Sequence, residues 1–386
     1  MLRAGGEGMG DSSQTTINML SGMDESLRQR VLSQLYSTRQ RPVCCCTHPP
    51  IEMYIAKVYD RYIVKRMPNT GNQHSPDCDS YEPPPELSGL GEVMGSAIKE
   101  NAEKGLVELR CDFSMTKIAG RKPILAIKED EHDSVKSDGK RLTLRSLLQF
   151  LWESAGFHKW SPAMEGKRSW GVVRKHLLAS AEDKVLKGMP LTERLYIPEA
   201  FKIEKKQGIV QRRSAQLSKI ASQSGPRQLM VLVGEVKEIV PARYGHKIGV
   251  KHVPDFAFLL DEEMHKALLK RFEAEIDLWR GLDDVRLMVI ATFSTGGSAS
   301  YATLEEVSLM MTTRNWIPID NVNDKEIIDR LTVAGRRFMK GLRYNLPLSK
   351  PMASAVVTDT FPPTAMYVLP ADADEGYLAT IQQLIE

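Results

Sequence analysis

Four of the chain's five cysteines, Cys44, Cys45, Cys46 and Cys78, fall between residues 44 and 78, with His74 among them. No other feature limits so sharply what the N-terminal part can become. A secreted domain stapled by disulfides spreads its cysteines through the fold. A tight group beside a histidine reads instead as a metal site in a reducing compartment. The pattern is Cys-x-Cys, then residues 47–73, then His-x-x-x-Cys. Structural zinc takes four soft or borderline donors in a tetrahedron. Two residues one apart on an extended strand point to the same face, so Cys44 and Cys46 can grip one ion while Cys45 faces away. His74 and Cys78 lie in a Pro-containing turn that can close the other side. The ligand set is therefore Cys44, Cys46, His74 and Cys78, holding one structural zinc ion. Two variants stay open: Cys45 in the first pair, or His48 in place of His74. With all four positions filled by protein, the ion has no catalytic opening.

The rest of the chain has ordinary globular composition, 42% hydrophobic and 26% charged over 386 residues, which is enough for two or three domains. Residues 1–40 read as a mobile leader with one short helix capped by Asp24 and carrying Leu27, Val31 and Leu35. Residues 41–128 form a zinc-binding β-rich module. Its hairpin runs Met53 to Met67 with a turn at Asp60-Arg61, and its strands include Gly105 to Met115 and Pro123 to Ile127. A charged linker follows over Glu129 to Lys140, with Asp138-Gly139 as a turn. Residues 141–227 are helical, with Leu144, Leu147, Leu148, Leu151 and Trp152 on one face behind a Thr143 cap, and a second helix from Ser169 to Val185. Residues 228–386 are a mixed α/β domain. Its expected elements are strands over Gln228 to Val240, Val253 to Leu260 and Val285 to Phe293, and helices over Asp261 to Trp279 and Asp324 to Lys340. A turn at Thr295-Gly296-Gly297, two short strands and a last helix complete it. The fold class is α+β.

Net charge is only +3, but cations concentrate locally. Lys202, Lys205, Lys206, Arg212, Arg213, Lys219 and Arg227 face a single acid, Glu204, in one segment. The helices before it add Lys167, Arg168, Arg174 and Lys175. Such a surface suits phosphates, and DNA or RNA is the partner it suggests. Trp152 and Trp170, at helical spacing, read as core.

For catalysis the sequence offers little. There is no phosphate-binding glycine loop and no serine elbow. Glu235-x-Lys237 with Asp255 has the residue types of a divalent-metal nuclease, with the Asp placed after the pair instead of before it. Charge alternating on a half-buried strand explains Glu235 and Lys237 without chemistry. The segment FMKGLRYNLPLSKPMASAVVTDTFPPTAMYVL resembles a degenerate restriction-endonuclease-like core. In that family an Asp, and then an acid two residues before a Lys, hold magnesium and activate water. Those positions fall here on Ser354, Tyr367 and Leu369, which cannot do this. Asp359 lies past the expected place.

The run RPVCCCTHPPIEMYIAKVYDRYIVKRMPNTGNQHSPDCDSYEPP resembles the start of a bacterial domain-of-unknown-function family numbered 1173. LLQFLWESAGFHKWSPAMEGKRSWGVVRKHLL with RLYIPEAF resembles its middle, and LMVLVGEVKEI with VPDFAFLLDEE its later part. The resemblance covers the chain from about residue 41 onward. It implies a bacterial plasmid or conjugative-element setting, with conjugation or mobile-element proteins as further partners, and supplies no mechanism. No apolar stretch approaches the roughly 20 residues of a membrane helix, and residues 1–40 lack a secretory signal. A cytoplasmic location without membrane contact is expected. The combined expectation is a non-catalytic, zinc-stabilised accessory protein that binds nucleic acid or a protein. The alternative is a nuclease using Glu235, Lys237 and Asp255.

Overall fold

The computed structural model describes residues 14–117, 140–221, 226–295, 300–347, 349–370 and 373–385. The strand expected over Pro123 to Ile127, nearly all of the charged linker and the Gly296-Gly297 turn lie outside these residues. The chain divides into two compact units. One holds residues 1–82 and 101–106, the other residues 83–100 and 107–386.

The smaller unit opens with two helices, α1 (Ile17–Ser21) and α2 (Glu25–Ser37). Asp24 caps α2 as its sequence position requires, its carboxylate accepting the Leu27 amide at 2.9 Å. Much of the segment expected as a leader is therefore helical. Leu20, Leu32 and Leu35 are buried there with Ile55, because the apolar stripe of α2 finds a sheet to cover. That sheet is antiparallel, in the order β1 (Val43–Cys44), β2 (Ile51–Val58), β3 (Arg61–Arg66). The β2–β3 turn is Tyr59-Asp60, one residue earlier than expected, with Tyr59 at a φ of 52°.

In the larger unit, α3 (Leu144–Ser154) starts at Thr143, whose hydroxyl accepts the Ser146 amide at 3.1 Å. It is followed by α4 (Trp170–Ala181) and α5 (Lys206–Leu217). Five strands then close on themselves: β4 (Met230–Pro241), β5 (His246–Val250), β6 (Ala257–Leu260), β7 (Val285–Ser294) and β8 (Tyr301–Thr313). Between β6 and β7 run α6 (Glu262–Arg271) and α7 (Glu273–Gly281). The single helix expected there is broken at Phe272, which is buried in the core.

The barrel order is β4-β5-β6-β8-β7, closed by β7 on β4. Neighbours are antiparallel except β6 and β8, which run parallel. The N-terminal half of β4, Met230 to Glu235, pairs with β7, and its C-terminal half, from Val236, pairs with β5. A bulge between Val236 and Glu238 marks the change. This connectivity, with helix between the third and fourth strands, is that of the OB-fold, a five-stranded Greek-key barrel.

Alternation sorts the side chains. Met230, Leu232, Ile248, Phe258, Leu287, Val289 and Phe293 fill the interior, with Met264, Leu268 and Ile276 of the helices in the same cluster. Val231, Val233, Met288, Ile290 and Met310 face outward and pack with Leu147, Leu151, Trp152, Val173 and Leu177 of α3 and α4. Trp152 and Trp170 are core, as read; their indole N–H groups donate to the Trp316 and Pro198 carbonyls at 2.8 and 2.9 Å.

The C-terminal part adds α8 (Val322–Val333), β9 (Phe338–Lys340), β10 (Ala355–Val357), β11 (Thr364–Met366) and α9 (Glu375–Ile385). Strands β9 to β11 form an antiparallel meander, extended by Lys159–Trp160. The degenerate endonuclease-like core expected here is not what this pairing shows. Ser354 precedes β10, Tyr367 and Leu369 follow β11, and Asp359 is held by Arg336 at 2.8 Å. Among the described residues no helix is long and apolar enough to cross a membrane.

Candidate metal centre

The smaller unit gathers the cysteine-histidine group. β1 ends at Cys44, and Cys46 lies in the turn that follows, so the first pair is split between a strand end and a turn. The expectation of two residues on one strand face is corrected in this detail. The strand stops because β1 pairs with β2 only through Val43 and Cys44. Cys45 and His48 are exposed and lie outside the group of four donors that comes together. His74 follows a one-turn 3₁₀ helix, Gly71–Gln73, and Cys78 closes a turn through its amide to the Ser75 carbonyl at 2.8 Å.

The four potential ligand atoms lie within 4.8 Å of one another. Cys44 Sγ is 3.6 Å from Cys78 Sγ, and His74 Nδ1 is 3.3 Å from Cys46 Sγ and 3.7 Å from Cys78 Sγ. A tetrahedron with Zn–S near 2.3 Å and Zn–N near 2.1 Å has edges of about 3.8 Å between sulfurs and about 3.6 Å between sulfur and nitrogen. The donor set and its spacing thus fit zinc. The Ser80 amide also points at Cys78 Sγ, 3.4 Å away, a donor suited to a thiolate.

The electrostatics agree with a site completed by a cation. Burial pushes the Cys44 thiol up to about 12, so this sulfur ionises only when a positive charge arrives. Burial would raise Cys46 too, but the Ser75 amide and the thiols of Cys44 and Cys78 hold it below the ordinary value. Burial and then the charge of Arg66 keep His74 low, hence neutral, the form that ligates. His74 is 2% exposed, and its Nε2 has no hydrogen-bond partner.

In the larger unit, His246, Glu262 and His265 also come together. Their imidazoles stack face to face, with centroids 3.3 Å apart and planes 10° from parallel. Lone pairs lie in the ring planes, so stacked rings do not converge on one ion.

The cations singled out from sequence separate into two sets. Lys167, Lys175, Lys205, Lys206 and Arg212 are exposed. Arg212 forms a two-pronged pair with Glu199, both bonds 2.8 Å. Arg168, Arg174 and Arg213 are drawn inward. Arg168 donates to the backbone carbonyls of Phe157, Asn315, Gly156 and Lys159, and burial lowers it to about 10. Arg174 donates to the Ile197 carbonyl at 2.9 Å. Arg213, 4% exposed, makes two bonds to Asp255 at 3.0 and 2.9 Å.

The residues of the nuclease alternative are also placed. Asp255 is held by Arg213. The side chain of Glu235, 3% exposed, accepts from Lys251 at 2.7 Å and Arg286 at 2.9 Å. Lys237 is exposed at the bulge of β4. Each carboxylate is thus neutralised by its own cations.

Residues 20–386 match the model of a family described as protein of unknown function, DUF1173. No curated protein and no solved structure matches the chain.

Proposed function

The chain belongs to the DUF1173 family, and from its geometry we propose that it is a zinc-stapled binding protein, without catalysis of its own, whose partner is nucleic acid. The convergence of Cys44, Cys46, His74 and Cys78 carries the zinc part of this reading. Zinc there would keep the thiols ionised and tie β1 to the 71–78 turns, with every donor position taken by protein. Metal analysis of the purified protein is expected to give one zinc per chain, and Cys46→Ser to lose it. Unchanged zinc content and stability in that variant would end the idea.

The choice of partner is supported by the barrel, a connectivity used for oligonucleotides, and by the exposed Lys167, Lys175, Lys205, Lys206 and Arg212. Fold alone does not assign function, so the binding measurement decides. Labelled single- and double-stranded DNA titrated at two salt concentrations should bind, with affinity falling steeply as salt rises. No binding at low salt would turn the search to a protein partner. An accessory role in a bacterial mobile element belongs to the same proposal and rests on the family resemblance. Against the nuclease alternative stand the ion pairs of Glu235 and Asp255. Magnesium-dependent cleavage that disappears in Glu235→Ala would reinstate it.

A further inference from the structure

The outside of the barrel is unevenly covered. Where β4 begins, and along the middle of β7 and β8, the outward residues are packed under α3 and α4. Over β5, β6 and the second half of β4 the outward residues reach solvent. There Lys247 stands between Val240 and Leu259, and Leu259 is opposite Thr303. In the next row Glu238 is opposite Gly249, and Ala257 is opposite Tyr301. Gly249 and Ala257 carry no large side chain at the centre of this face, and the Glu238 side chain leans over Gly249, its Cγ 2.7 Å from where a Cβ would stand.

Aromatic and cationic groups border this centre. Tyr301 is 42% exposed on β8. The β4–β5 turn carries Arg243 and Tyr244, with the guanidinium 5.4 Å from the ring centroid. Tyr244 is 79% exposed. The turn is seated on the barrel: Gly245 has a φ of 72°, and a Cβ there would strike the Leu260 carbonyl. Lys247 is 4.0 Å from Glu238, a distance at which a phosphate can compete for it. A ring this exposed, backed by a cation at the edge of a β-face, lacks the neighbours that normally bury tyrosine.

We propose that this face binds single-stranded nucleic acid, with Tyr244 stacked on an unpaired base and Arg243, Lys247 and Lys237 meeting phosphates. Every base offers a π-face, and only an unpaired strand can lay one on a side chain at the protein surface. The proposal rests on the reading of the partner as nucleic acid and narrows it to one strand and one surface.

The test uses the full chain and fluorescence anisotropy with labelled oligo(dT), oligo(U) and a duplex of the same length. Single strands are expected to bind more tightly than the duplex, and the dT and U arms decide between DNA and RNA. Tyr244→Ala should weaken binding about tenfold, the scale of one lost base stack, while Tyr244→Phe stays close to wild type. Arg243→Ala should weaken it and reduce the salt dependence by about one counterion. The exposed position of Tyr244 means that the variants keep the wild-type melting curve, which circular dichroism checks. Duplex bound as tightly as single strand, or Tyr244→Ala without effect, overturns this proposal and leaves nucleic-acid binding standing. Failure of the wild type to bind any of the three overturns the broader reading as well.

Discussion

In the smaller unit, buried apolar side chains lie on opposite faces of one hairpin. Ile55 joins the helices on one face, and Tyr54, Ala56 and Val58 form a separate group on the other. The larger unit buries continuous layers inside and outside a closed barrel. Apolar burial drives folding in proportion to area, so the barrel stands on its core. A hairpin with two helices has too little, and small modules of this kind use metal as the missing constraint. The contrast says where to test each unit: at the four candidate donors in one, at the packed indoles in the other.

Metal removal is expected to have the largest effect. A chelator, or Cys78→Ser, should abolish the smaller unit's transition in calorimetry and leave the barrel's in place. Both transitions falling together would break the comparison. Next comes Trp152→Ala, which empties a position with no exposed surface and removes the bond to the Trp316 carbonyl. It should cost the larger unit about 3–5 kcal/mol in urea unfolding, with zinc content unchanged.

Asp255→Asn sharpens the picture at smaller scale. It leaves the buried Arg213 without its carboxylate and should cost about 2 kcal/mol at neutral pH. The bonds from Arg213 hold the Asp255 carboxyl below its usual value of 3.8. A carboxyl depressed in the folded state contributes stability above its unfolded pKa, and loses it as pH falls through the folded one. Wild type should therefore lose this increment below about pH 4, and Asp255→Asn should flatten that part of the acid limb. The smallest effect belongs to Arg212→Ala. Its pair with Glu199 is on the surface, where screening and side-chain entropy cancel most of the attraction. The melting midpoint should stay within experimental error.

Arg212 and Arg213 also show what can be read without a structure. Both belong to one basic run, and only the fold separates them: the partner of Arg213 is Asp255, far along the chain. Local features were legible. Asp24 and Thr143 cap helices where their hydroxyl or carboxylate precedes an apolar stripe. The cysteine-histidine group that could hold a metal announced itself by clustering, although the end of β1 did not. What escaped is non-local. β8, YATLEEVSLMMTT, is buried on both faces for much of its length and so lacks alternation, and Glu305-Glu306 disguises it further. Without β8 there is no barrel, because it alone bridges β6 and β7. Of the two helices in residues 14–40, the one capped by Asp24 was legible and α1 was not; α1 is only five residues long and packs on β1.

The bulge in β4 has a consequence for chain length. Val236 opposes Val250 and Glu238 opposes Gly249, so Lys237 is the extra residue. Deleting that one residue would remove the bulge and keep the phase: Glu238 would follow Val236 directly, still opposite Gly249, and Ile239 would stay inside, opposite Ile248. The strand would keep its two faces and lose the local bend and added twist that a bulge supplies. Substitution and deletion at Lys237 should both leave the barrel folded, which circular dichroism checks.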